Sequence, residues 1–195
     1  MPGVASLDLS NGNRAGERPM EETAHEMKIY TYPDPVLKTP AEPVREIDGE
    51  LQRLIDWMIE TMYDAPGIGL AANQVGVLKR VIVFERQPRE RRRNPGVLIN
   101  PEIVLGEDQI KWEEACLSVP DFSAEVVRKG QVKVRGLDRQ GNPSDIEAED
   151  LLAVCLQHEV DHLNGTLFID HISALKRALY KKKLTKMLKE QDEMD

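Results

Sequence analysis

The sequence predicts an α+β fold: antiparallel sheets around a central metal-binding helix, with one helix in the N-terminal half and another at the C-terminus. Three observations carry that expectation. Short apolar runs lie between turn-forming segments, and Val126 to Leu137 leads to a turn at Asp138 to Asn142 in the pattern of an antiparallel hairpin. Leu51, Leu54, Ile55, Met58, Ile59 and Met62 repeat at helical spacing and form one apolar stripe. A further helix, opened by Glu149-Asp150 and stopped by Asn164-Gly165, carries little charge along its length, so it belongs inside the molecule.

Length and composition bound the rest. At 195 residues, with 41% hydrophobic and 31% charged side chains, the chain can bury one good core. Residues 1–26 mix polar and small side chains without a period and are expected to be a disordered N-terminal extension, because they cannot repay the entropy of ordering. One compact domain is expected over 27–172, and a C-terminal basic helix and tail over 173–195. The net charge of -8 argues against an overall electrostatic grip on nucleic acid, so no sequence-specific nucleic-acid partner is expected. No apolar run spans a bilayer and the N-terminus lacks a signal-peptide core, which predicts a cytoplasmic protein without a membrane partner. In that compartment Cys116 and Cys155 are expected to be buried or reactive thiols rather than a disulfide.

Taken in order, Ile29 to Pro35 reads as an extended segment, and Pro40 and Pro43 keep the next stretch out of helix. Asp48 caps the amphipathic helix, and Pro66-Gly67 end it. Gly67 to Gln74 is small and apolar up to Asn73; it suits either a glycine turn entering a strand or an edge against which an extended ligand can lie. Val81 to Phe84 is a continuous apolar run typical of a strand buried on both faces, and Val97 to Ile99 is its partner across an arginine-rich tip at Arg86 to Asn94. Ile103 to Leu105 and Ile110 to Trp112 read as two short strands around an acidic turn, and they deliver Cys116. Ser173 caps the last helix, with Leu175, Leu179, Leu184, Met187 and Leu188 loosely on one side and many Lys and Arg between them.

The chemistry concentrates in Gln157 to His162. Two imidazoles four residues apart on a helix stand on one face and can reach a single cation, while Glu159 lies beside them as a general base for water. The same pattern occurs on solvated helices, but this helix is buried, and a buried imidazole must be bonded or ligate a metal. A hydrolytic metal site follows. It needs a third protein ligand. His25 and His171 lie in poor places for that role, so a cysteine is favoured: Cys155, one turn before His158, or Cys116, arriving from a strand.

Gly67 to Gln74, Glu114-Ala115-Cys116-Leu117-Ser118 and His158 to His162 resemble the three ordered motifs of bacterial peptide deformylases, and the resemblance runs from about Met27 to the C-terminal helix. It implies that residues 27–172 form a catalytic metallohydrolase domain that removes the formyl group from the initiator methionine of nascent polypeptides. Cys116, His158 and His162 would hold one divalent metal ion, Glu159 would be the acid/base, and Gln74 and the Leu117 N–H would face the formyl oxygen. The methionine pocket would be lined by Ile68, Trp112, Glu114, Leu151, Val154, Cys155 and His158, with Gly69 and Ala115 also binding substrate. Fe(II) is the metal the family suggests, with Zn(II), Ni(II) or Co(II) able to substitute on such ligands. Glu114 is expected to orient an imidazole ligand. Ala115 departs from the family's usual glycine, which puts substrate positioning at issue through its resistance to positive φ. The expected partners are N-formylmethionyl nascent peptides and, through the basic C-terminal helix, the ribosome. Two rival readings share the site: a zinc endopeptidase, and a non-catalytic binder of nascent chains.

Overall fold

A computed structural model describes residues 27–90 and 92–192; the extension expected over residues 1–26 lies outside the described residues. Helix α1 (Gly49–Asp64) starts where Asp48 caps it, its carboxylate accepting from Leu51 N at 2.9 Å. Strands β1 (Gly69–Ala71), β2 (Val81–Glu85) and β3 (Pro95–Glu107) follow, then β4 (Ile110–Cys116), β5 (Val119–Arg128), β6 (Gln131–Leu137) and β7 (Pro143–Glu149). Helices α2 (Asp150–Leu163) and α3 (Ala174–Asp192) complete the chain. One antiparallel sheet runs in the order β1-β2-β3-β6-β7, and β4 and β5 form a separate hairpin.

The uninterrupted Val81 to Phe84 run is explained by helices on both faces of this sheet. Ile82 and Phe84 point into a core shared with Ala153, Leu156 and Leu163 of α2. Val81 and Val83 point the other way, onto Leu51, Ile55, Met58 and Met62 of α1. With a period of two, neither parity is left for water. α2 packs on β1, β2, β6 and β7, which places its whole length against the sheet.

Three details differ from the sequence reading. Ile103 to Leu105 is the far end of the single strand β3 rather than a separate strand; Asn100, at φ 52°, interrupts the register there and ties the chain to Val44 through both its amide atoms. Pro35–Lys38 forms a short 3-10 turn, because Asp34 accepts from Val36 N at 2.9 Å and proline suits the first helical position. The leucines of α3 do not share one environment: Leu175 and Leu179 are 71% and 59% exposed, whereas Leu184 enters the core together with Tyr180.

Candidate active site

Helix α2 sets His158 and His162 one turn apart, with ring centroids separated by 4.9 Å. Cys116 ends β4, where the pairing with β5 slips between Ala115 and Cys116, and its Sγ lies 3.1 Å from His162 Nε2. One ligand atom from each of the three residues lies within 4.8 Å of the others. Cys155 stays outside this group; its Sγ points to the Ile68 carbonyl at 3.4 Å. The two cysteines left open by the sequence are thus separated by position.

Each group around the three is arranged for them. Glu114 Oε2 meets His158 Nδ1 at 2.7 Å, which leaves Nε2 of that ring for the interior of the group. Asn73 Nδ2 donates to the His162 carbonyl, and Gln74 is fixed through its Oε1, which accepts from Ala71 N at 2.8 Å. Gln74 Nε2 then donates to Ser118 Oγ at 3.1 Å and faces Cys116 Sγ at 3.7 Å. Glu159 is 4% exposed, and its Oε2 has no hydrogen-bond partner among the described residues. A sulfur, two imidazoles and a buried, unpartnered carboxylate oxygen converge here, and that donor set suits a divalent cation.

The electrostatics separate the carboxylates into two kinds. Burial pushes the Glu159 carboxyl up to about 7, with Glu114 and Asp161 adding to the rise and His158 opposing it. Glu114 is also penalised by burial, but the hydrogen bonds from His158 and Arg128 outweigh that penalty and hold it at about 2. Burial pushes His162 well below its usual value, so its ring is neutral and keeps a lone pair. Burial and then Glu159 raise the Cys155 thiol well above its ordinary range, so it lines the site as a neutral side chain.

A cavity of about 350 Å³ opens onto this group. The eight residues expected to bind substrate, Ile68, Gly69, Trp112, Glu114, Ala115, Leu151, Val154 and Cys155, all line it, together with Gln74, Cys116, Leu117, His158 and Glu159. His162 lies behind them at 1% exposure. The Glu114 carboxylate itself is turned to His158 and Arg128, so Glu114 contributes to the wall while its charge is spent inside. Gly69 is required by the protein as much as by a ligand: a Cβ there would fall on Glu159 Oε1 and within 2.7 Å of Cys155 Sγ. Ala115 is not among the residues with positive φ, so its methyl is accommodated on extended backbone opposite Ser123.

One group was missed from the sequence. Arg128 reaches Glu114 and Asp161, and Asp161 also accepts from His171 at 2.7 Å. The available signal was parity: Ala124, Val126 and Arg128 alternate on the buried side of β5, an unusual place for an arginine.

This fold and site define a metal-dependent hydrolase. A profile of the polypeptide deformylase family matches residues 26–178. A peptide deformylase of Thermodesulfovibrio yellowstonii is 59% identical over 157 residues, covering 80% of this chain and 95% of the relative. A crystal structure of a peptide deformylase from Legionella pneumophila superposes with a TM-score of 0.78 at 47% identity, covering 85% of this chain and 96% of the other. The Ehrlichia chaffeensis peptide deformylase in complex with actinonin gives 0.77 at 41% identity, covering 83% and 96%. The chain belongs to the peptide deformylase family. Its reaction is hydrolysis of the N-formyl group of nascent polypeptides.

Proposed function

We propose that Cys116, His158 and His162 hold one divalent metal ion, and that Glu159 is the acid/base of the deformylation reaction. The carrying observation is that these three ligand atoms lie within 4.8 Å of one another beside a cavity that Glu159 also lines. The ion, when bound, supplies a Lewis acid that acidifies water and polarises the formyl oxygen.

Everything else is done by the chain. Glu159, with no competing partner for Oε2, takes a proton from water at that oxygen and returns it to the leaving amine. Gln74 presents an Nε2–H whose direction is set by the bond from Ala71 N to its other amide atom. That N–H and the Leu117 N–H stabilise the developing oxyanion, and a fixed orientation makes such donors effective because they need not reorganise as charge develops. The methionine side chain enters between Ile68, Trp112, Leu151, Val154 and Cys155, where the neutral Cys155 thiol adds apolar contact without taking the metal. β1 stands at the edge of its sheet, so its free side offers main-chain groups to an extended formyl-peptide.

Fe(II) is the ion proposed for the cell, with Zn(II), Ni(II) or Co(II) as functional substitutes; a thiolate with two imidazoles accepts all four. Residues 27–172 form the catalytic unit in this reading, and α3 is an appendage through which the enzyme docks on the ribosome in the cytoplasm. In support, Lys181, Lys182 and Lys183 of α3 are exposed, and no helix among the described residues is long and apolar enough to cross a membrane.

Metal-replete protein is incubated with formyl-Met-Ala-Ser and with an internal peptide substrate. Formate release from the first alone is expected. Cleavage of the internal peptide would move the assignment to an endopeptidase, and silence toward both would move it to a binder.

A further inference from the structure

Arg128 closes β5 with its side chain only 5% exposed, and it is not among the residues that line the cavity. Its guanidinium bonds two carboxylates, and Nη1 also lies 3.5 Å from His171 Nε2. Nε and Nη2 donate to Glu114 Oε1 and Oε2 at 2.6 and 3.1 Å, and Nη1 donates to Asp161 Oδ2 at 2.5 Å. These partners sit on different elements: Glu114 is on β4, two residues before Cys116, and Asp161 is on α2, next to His162. Glu114 carries the connection on to His158 Nδ1 at 2.7 Å.

We propose that Arg128 is a positioning residue for the metal centre, a clamp that holds the β4–β5 hairpin against α2 so that Cys116 and the two imidazoles stand at the spacing one ion requires. The proposal rests on the reading of Cys116, His158 and His162 as ligands. The hairpin shares no strand pairing with the main sheet. Its base is tied to α2 at Lys129 and Gly130, by the Gln157 amide and by Asp150 N, and beside Cys116 its position relative to α2 is left to side chains such as Glu114 and Arg128. Arg128 makes the buried ionic link between them. Only arginine has the geometry for it, since its planar fork engages one carboxylate with two N–H groups while a third N–H reaches a second carboxylate. Lysine offers one point charge on a flexible stem, and methionine would strand the buried Glu114 carboxylate and leave the partly buried Asp161 with His171 alone. A freed Glu114 would no longer define the ring orientation of His158, and the three ligand atoms would lose their common centre.

The test uses the full chain loaded with Co(II). Wild type, Arg128→Met and Arg128→Lys are compared for Co(II) release to a chelator, for the Co(II) absorption spectrum, and for kcat and KM on formyl-Met-Ala-Ser. Arg128→Met is expected to release Co(II) about 10–100-fold faster and to shift the spectrum. Its kcat should fall while KM stays within about twofold, because Arg128 is not itself a lining residue of the cavity and reaches it only through Glu114. Arg128→Lys should recover part of the retention. A folded Arg128→Met protein with wild-type release and an unshifted spectrum overturns the proposal. Should that variant fail to fold, Arg128→Lys decides on the same readouts, with wild-type release again overturning it. Cys116→Ser separates the two levels: if it retains Co(II), the ligand assignment fails and the clamp with it; if it loses Co(II) while the Arg128 variants keep it, the clamp alone fails.

Discussion

Helices α2 and α3 are neighbours in sequence and opposites in construction. α2 packs along the sheet on one side and meets the β4–β5 hairpin through Glu114 and Arg128 on another, and even its polar residues Gln157, His158, Glu159 and His162 are buried. α3 is solvated over most of its surface and held by Tyr180 and Leu184. Tyr180 stacks on Phe122 with centroids 4.5 Å apart, and Phe122 stacks in turn on Phe168. The contrast teaches that helical periodicity alone does not say which side is covered. α2 has few charges because most of its length is covered; α3 is so rich in lysine that Leu175 and Leu179 can be left in water while Tyr180 and Leu184 anchor it.

The sharpest way to break the contrast is to remove a polar group from α2's surroundings. Cys116→Ser should lose the metal and bring formate release to background, whereas Cys155→Ser should keep its metal; metal analysis of the two purified variants checks this, and the reverse result would overturn the site. Glu159→Gln keeps the carboxylate's shape and should hold its metal while turnover falls by about 10²–10⁴, the usual worth of a positioned acid/base. Turnover near wild type would mean that the proton passes elsewhere. Gly69→Ala drives a methyl toward Glu159 and Cys155. It should cost about 1–3 kcal/mol in thermal unfolding and depress kcat, as overpacking at a rigid site does.

α3 should respond at its buried residues and ignore its exposed leucines. Tyr180→Ala is expected to cost about 3 kcal/mol of stability, because a large ring leaves a packed cluster. Leu175→Ala and Leu179→Ala, at exposed positions, should each change stability by less than about 0.5 kcal/mol. A comparable loss from Leu175 and Tyr180 would show that α3 is covered in solution. At the small end, charge reversal at Lys181, Lys182 and Lys183 should leave peptide turnover unchanged while weakening co-sedimentation with ribosomes; unchanged sedimentation would remove the docking role.

Some of this was readable in the residues themselves. Asp48 announces α1 because a short carboxylate before an apolar stripe satisfies free N–H groups, and the structure places that bond at Leu51 N. The four-residue spacing of His158 and His162 puts both rings on one side of any helix, and the uncharged length of α2 requires burial. Those are local consequences of backbone geometry and transfer free energy, so a single segment suffices to state them. The α+β class and its antiparallel pairing followed from runs and turns in the same way.

Other features depend on segments meeting across the chain. From composition alone Cys116 and Cys155 were equivalent thiols; the register slip at the end of β4 sends one to within 3.1 Å of His162, while burial against Ile68 silences the other. Glycine at 69 looked like room for a ligand, but the space is first taken by Glu159 and Cys155 from α2. Arg128 could be noticed only by its parity in β5, because its partners come from β4 and from a helix more than thirty residues downstream. The sequence by itself determined which segments are helix or strand and which side chains have the chemistry, because both are properties of short stretches. The tertiary structure decided which sulfur joins the histidines, which glycine is indispensable and what clamps the hairpin to α2. Those outcomes depend on distances between side chains far apart in the chain, and only packing sets such distances.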